Sequence, residues 1–344
     1  MKILYVAAKY DYGDPTRGHS FEHCNFYETL THMGHNIIYF DFVTEYQQRG
    51  RAAMNARLLD IAIAEKPDLL FCVLIKDELD VDTMRRITQR TDTVTFNWFC
   101  DDHWRFDNFS RHWAPAFNWV STTAASALVK YKRIGYANAI KTQWACNHYS
   151  YRRLDLEPQH DVTFVGQPHG NRRKVVATLR KAGIDVKAWG HGWEAGRLDQ
   201  GEMIEVFNQS RINLNLSNAS TRADWKRWSP WHHAQTSQQI KGRNFEIPGC
   251  GGFMLTGTAE NLADYYMPDR EIAMFTDADD LVRKVTFYLE HEQERQAIRD
   301  AGYQRTLTEH TYEKRFNDIF AAMGLCELTV TGNFPLVRGA EKAC

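Results

Sequence analysis

Short apolar runs alternate with helical stretches along most of this 344-residue chain, and one polar interruption divides the pattern in two. No other feature limits the fold as strongly. Strands separated by helices of roughly 10–15 residues do not pair as hairpins; they build βαβ units and a parallel sheet. In the first half, strands are expected at residues 3–8, 36–42, 68–74, 93–99, 117–122 and 139–143, with helices near 21–33 and 52–65. The stretch 152–160 is polar, contains Pro158 and breaks the rhythm, so the linker is placed there. The pattern then restarts, with strands at 161–166, 184–190, 212–216, 253–256 and 271–275 and a helix at 172–182. Two helices close the chain. The last carries Tyr312, Phe316, Ile319 and Phe320 on one face, with Thr311 as its N-cap. The expected division is residues 1–152, 160–310 and a terminal piece 311–344. Ligands of such sheets bind beyond the carboxyl ends of the strands, which brings the loops after Ala8, Phe99, Gly166 and Gly190 to one cleft.

Composition narrows the partners. The net charge is −1, so no global field draws the chain to nucleic acid or anionic lipid. Seven scattered cysteines without a C-x-x-C pair read as reduced thiols, and no stretch approaches the roughly 18 apolar residues of a membrane span. The N-terminus reads as a first strand, not a signal segment. A cytoplasmic location is expected.

The chemistry concentrates in residues 241–256, where Lys241, Arg243, Glu246 and four glycines precede an apolar strand. The cations could neutralise phosphates, Glu246 could accept hydrogen bonds from vicinal hydroxyls, and Gly251 and Gly252 could admit a ligand against the backbone. Alone, the segment reads equally well as a helix end packed on a strand. Residues 165–173 place Gly166 before Arg172 and Arg173, suited to a phosphate or to a plain turn. This run lacks both the P-loop and the G-x-G-x-x-G pattern, which disfavours NAD. Residues 97–105 end a strand with Asp101, Asp102 and His103, open to general-base, acceptor-binding or supporting roles, or to helix capping. The loop 9–19 offers His19, with Glu22 just beyond it. The run 224–233 mixes Trp228 and other aromatics with bases, suited to stacking or to a packed lid. Asp277 and Asp279 match a D-x-D metal motif superficially, but the helical pattern that follows makes them first-turn carboxylates. No metal site is expected.

Together, residues 240–255, the run 309–315 and the segment 98–102 resemble CgeB-like glycosyltransferases, relatives of the large family 4 of retaining sugar transferases. The resemblance spans about residues 1–322. It implies an α/β GT-B fold: two Rossmann-like domains with parallel sheets facing a cleft, and a C-terminal helix crossing back to the first domain. It also implies a nucleotide sugar held mainly by the second domain and an acceptor held mainly by the first, with no cofactor and no metal. Carried over residue by residue, Glu246 matches the ribose-binding carboxylate, and Arg172, Lys241 and Arg243 are the diphosphate candidates. Gly190, His191 and Trp193 lie where the base is contacted. One departure stands out. Family members carry a second carboxylate eight positions before the ribose-binding one, and this chain has Gln238 there, followed by Gln239.

The expected activity is transfer of a sugar from a UDP- or GDP-sugar to a glycan, protein or small molecule, with retention. The expected catalytic set is Arg243, Lys241, Asp102 and His103. Donor contacts fall to Glu246, Gly166, Arg172, Arg173, Gly190, His191, Trp193, Gly251 and Gly252. Sugar and acceptor contacts fall to Gln238, Gln239, His19 and Trp228. Two alternatives remain: a phage-type DNA-base glycosyltransferase, resting on residues 225–233, and a non-catalytic nucleotide-sugar-binding protein, resting on the missing carboxylate.

Overall fold

The first sheet comprises β1 (Lys2–Val6), β2 (Asn36–Phe40), β3 (Leu69–Cys72), β4 (Val94–Phe99), β5 (Trp119–Thr122) and β6 (Ala139–Lys141). All its pairings are parallel, in the order β2-β1-β3-β4-β5-β6. The second comprises β7 (His160–Val165), β8 (Val186–Trp189), β9 (Ser210–Asn215), β10 (Met254–Gly257) and β11 (Ala273–Phe275), again parallel, in the order β11-β10-β9-β7-β8. Each expected strand is present, most of them trimmed by a residue or two at the ends. The computed structural model describes residues 1–217 and 238–325.

Both strand orders contain a switch point, where consecutive connections leave in opposite directions: β1/β3 in the first sheet and β7/β9 in the second. Crevices form at such points because the loops on either side diverge. Side chains buried on both faces explain why the strands read as continuous apolar runs; β3, Leu69–Cys72, is buried at every position.

The helices show local causes. Asp41 caps the helix Phe42–Glu65 by accepting from the Val43 amide at 3.2 Å, and Gly50, at φ 76°, kinks it. The sequence pattern shows only the part beyond that kink. The region expected as one helix over 21–33 is a π-helical turn, His23–Tyr27, continued by Glu28–His32. Asp199 and Glu202 form a reciprocal capping box on the helix Gln200–Gln209. Asp277 caps the helix Ala278–Glu290 through the Asp280 amide, which accounts for the apparent D-x-D motif. Thr311 caps the last helix, Tyr312–Ala322.

Residues 152–159 contain neither helix nor strand. The last helix does not stay with the second sheet. Tyr312, Phe316, Ile319 and Phe320 enter the core beneath the first sheet, among Phe26, Phe71 and Trp98. Burying each such side chain contributes about 1.5–3 kcal/mol. Among the described residues, no helix is long and apolar enough to cross a membrane.

Candidate active site

A cleft of about 920 Å³ lies between the carboxyl ends of the two sheets, reaching the β7 end of the second. From the second sheet it is lined by Gly166, Gln167, Gly190, His191, Arg243 and Glu246, and from the first-sheet side by His19, Phe21 and Asn25.

The helix Arg243–Gly249 delivers the two central side chains. Glu246 is only 3% exposed, and burial pushes its pKa up to about 7 even though Arg243 pulls the other way. Tyr151, from the stretch joining the two sheets, also favours its charged form. Asn25 of the first domain stands beside the carboxylate, yet both polar atoms of its amide lie outside ordinary hydrogen-bond geometry. Arg243 donates from Nε to Asn215 Oδ1 at 3.2 Å, and its guanidinium lies 5.5 Å from the Phe164 ring centre. Burial lowers its pKa, opposed by Glu246. A desolvated carboxylate beside a desolvated guanidinium therefore faces an open cleft.

Glycine makes that approach feasible. A Cβ on Gly166 (φ 152°) would stand 2.5 Å from Arg243 Nη1, and one on Gly190 (φ 138°) would stand 2.5 Å from the Gly166 carbonyl oxygen. Trp193 Nε1 donates to that same carbonyl at 2.7 Å and ties the loops after β7 and β8 together.

Lys241 faces the other domain. Burial lowers its ammonium pKa to about 7, opposed by Asp101, with Arg172 and Arg243 depressing it further. It forms no ion pair among the described residues. His103 approaches from the first domain, its pKa lowered to about 4 by burial, and Lys241 and Lys141 add to that. Its Nδ1 is buried without a hydrogen-bond partner.

Other expected site residues lie elsewhere. The Arg172 guanidinium donates to the carbonyls of Gln167 and Leu216, both at 2.8 Å, and so braces the loops after β7 and β9. Arg173 lies over the Trp193 ring and donates to the Gly192 carbonyl. Asp102 points into the first-domain core, where the Tyr131 hydroxyl donates to it at 2.8 Å. Gly251 and Gly252 sit at the far end of the Arg243–Gly249 helix, against Arg153 and Asn213 respectively. Gln238 is exposed and accepts from the Thr258 hydroxyl at 2.6 Å, whereas Gln239 is buried and its amide N–H donates to the Ser217 carbonyl. His19 reaches the cleft rim, stacked 3.9 Å from His23. Trp228 and the run 224–233 lie outside the described residues, as do Cys326 and Cys344; the five described cysteines are free thiols. Among the described residues, no cluster of His, Cys, Asp or Glu could hold a metal ion.

Sequence reasoning missed Asn25, Tyr151, Asn215 and also Arg197, which lines the cleft and pairs with Asp11. Each acts through a neighbour distant in the chain, so no local spacing marks it.

Residues 172–321 match a family model described as glycosyl transferase-like. Spore protein CgeB of Bacillus subtilis (strain 168) is 22% identical over 248 residues, covering 65% of this chain and 73% of that protein. The chain is similar to CgeB, and its two-sheet architecture is the GT-B fold. Among solved structures, Anabaena Alr3699/HepE in complex with UDP-glucose superposes with a TM-score of 0.64 at 10% identity, covering 94% of this chain and 99% of that one. A glycosyltransferase from Rickettsia africae ESF-5 gives 0.63 at 10% identity, covering 94% and 98%. Sucrose-phosphate synthase from Thermosynechococcus elongatus gives 0.62 at 10% identity, covering 93% and 99%. In this chain the glycosyl transferase-like match spans β8 to β11 and nearly all of the helix Tyr312–Ala322, including the segment that carries Lys241, Arg243 and Glu246.

Proposed function

We propose that this glycosyltransferase takes its sugar from a nucleoside-diphosphate sugar seated against the second sheet and passes it to an acceptor on the first-sheet side. One observation carries the reading: Glu246 and Arg243 stand together, desolvated, on the wall of the 920 Å³ cleft. The carboxylate is an acceptor for the ribose diol, and the guanidinium is a partner for phosphate. The presence of UDP-glucose in the Anabaena protein supports a UDP-sugar as donor. The loops at Gly166 and Gly190 let the nucleotide lie close to the backbone.

The transfer we propose is retaining and needs no metal. The bond from sugar C1 to the phosphate oxygen breaks while the acceptor oxygen bonds C1 on the same face. The electron pair leaves with the diphosphate, which takes the acceptor's proton. Arg243 and Lys241 stabilise the charge developing on the leaving group, from positions where they are partly shielded from water. We place the reaction in the cytoplasm, where the free thiols stay reduced.

Calorimetry with UDP and UDP-glucose tests the donor site. Glu246→Ala is expected to weaken UDP binding at least about tenfold, the loss of roughly 1.4 kcal/mol. UDP affinity unchanged in that variant overturns the ribose assignment. Turnover of UDP-glucose that collapses in EDTA overturns the metal-free mechanism.

A further inference from the structure

A second, smaller pocket of about 230 Å³ opens at the β1/β3 switch point of the first sheet. It shares Asp11, Ser20 and Phe21 with the donor cleft, so the two spaces communicate. Its volume is below the roughly 300–1,000 Å³ of pockets that enclose drug-sized ligands, and suits one small group.

The chemistry of its walls is one-sided. Phe21, Phe99 and Phe109 contribute aromatic surface, and Glu22 and Asp101 contribute carboxylates. Asp11, at the rim, is already neutralised by Arg17 and Arg197. Asp101 is shared electrostatically with Lys241 across the cleft. Glu22 has no ion pair among the described residues. Burial raises its pKa, Asp11 and Asp101 add to that, and the Ser20 hydroxyl only partly opposes it. Among the described residues one cation lines the wall: Arg105 donates to the Ile75 carbonyl and lies 4.1 Å from the Phe109 ring centre, without pairing to either carboxylate. With Phe109 already covered by Arg105, the Phe21 and Phe99 rings and the carboxylates both attract positive charge, and two independent kinds of group thus favour the same ligand. A neutral sugar would cover the rings but leave the Glu22 charge unpaired in a desolvated site.

We infer that this pocket receives the protonated amine of the acceptor, which makes the acceptor a small amine-bearing molecule of the amino-sugar type. The ammonium lies between Glu22 and Asp101 over the phenylalanine rings, and a hydroxyl of the same molecule reaches the donor cleft past Ser20 and Phe21. The inference rests on the proposed donor site only for the direction of transfer.

The experiment is calorimetric titration of the full chain with glucosamine, glucose and N-acetylglucosamine, three probes of one ring shape of which only the first carries an amine. Glucosamine is expected to bind at least about tenfold more tightly than the other two, and less tightly as salt rises. Glu22→Gln and, independently, Asp101→Asn are expected to remove that preference. UDP titrated into each preparation reports separately on folding and on the donor site. Equal binding of the three probes, no saturable glucosamine binding by a chain that binds UDP, or full preference retained in both variants overturns the inference. A chain that prefers glucosamine but does not bind UDP would keep this pocket and reject the donor reading instead.

Discussion

Glu246 and Lys241 hold their protons abnormally in opposite senses, and the difference is measurable. Burial raises the Glu246 carboxyl from 4.5 to about 7, so between those values the folded chain keeps a proton that the unfolded chain has released. Its stabilising share is full below about 4.5 and is lost as pH rises through 7. The half-buried Lys241 ammonium, lowered to about 7, loses its proton near the same pH. A diol donating to Glu246 favours the carboxylate, and a diphosphate beside Lys241 favours the ammonium. UDP-glucose binding should therefore release protons at pH 6 and take them up at pH 8. Calorimetry in two buffers of different ionisation enthalpy reads this directly, and a sign that does not invert across pH 7 would refute the pairing of roles. Lys241→Met should remove the uptake and leave the release. Arg243→Ala should lower turnover about 10²–10³-fold, the effect of removing one donor to developing charge. Full turnover in that variant would remove Arg243 from the leaving-group site.

The loops after β7 and β8 act as one element because glycine lets their backbones touch. Gly190 has a backbone angle that side chains rarely adopt, and its Cβ position is already filled by the Gly166 carbonyl. Gly190→Ala should cost about 1–3 kcal/mol in urea unfolding and also weaken UDP binding. Gly201→Ala, in the helix Gln200–Gln209, is the control: it has room for a methyl and should be neutral or stabilising by up to ~1 kcal/mol. A Gly190→Ala variant as stable and as avid as the parent would dismiss the close-packed pair. This element also marks how far sequence reasoning reaches. Apolar runs located every strand of both sheets, most plainly the inner ones such as β3, which are buried on two faces. Gly166 was legible as a turn glycine and Glu246 as a candidate ligand carboxylate from local sequence, whereas the contact of Gly190 with Gly166 was not. Arg172 was not legible as a brace, since its partners are carbonyls that only the fold assembles. Gly251 and Gly252 share the segment of Glu246, but the helix between carries them to its opposite end. The first part of the helix Phe42–Glu65 was hidden by Gly50, which reads as a breaker and acts as a kink.

At the scale of the molecule, the helix Tyr312–Ala322 does not pack in the domain that the elements before it build. After the second sheet is complete, Thr311 starts a helix whose aromatic face forms part of the core beneath the first sheet. Backbone bonds clamp the passage, with the Cys146 amide donating to the His310 carbonyl and the Tyr312 amide to the Cys146 carbonyl. Tyr149 adds a hydroxyl bond to Glu313 at 2.7 Å. The two sheets are thus joined twice, by the stretch after β6 and again by the helix Tyr312–Ala322. Such a connection couples their stabilities, because the first sheet cannot keep its core if the last helix is withdrawn. Phe316 is fully buried, with Phe26 and Phe71 ring centres each at 5.6 Å. Phe316→Ala should cost about 3–5 kcal/mol through transfer and cavity terms together. In urea, fluorescence from the Trp98 region of the first sheet and retention of UDP by the second should move to lower denaturant together, as one transition. Loss of the first signal at low urea while UDP binding persists unshifted would show that the domains fold independently and that the crossing helix merely docks.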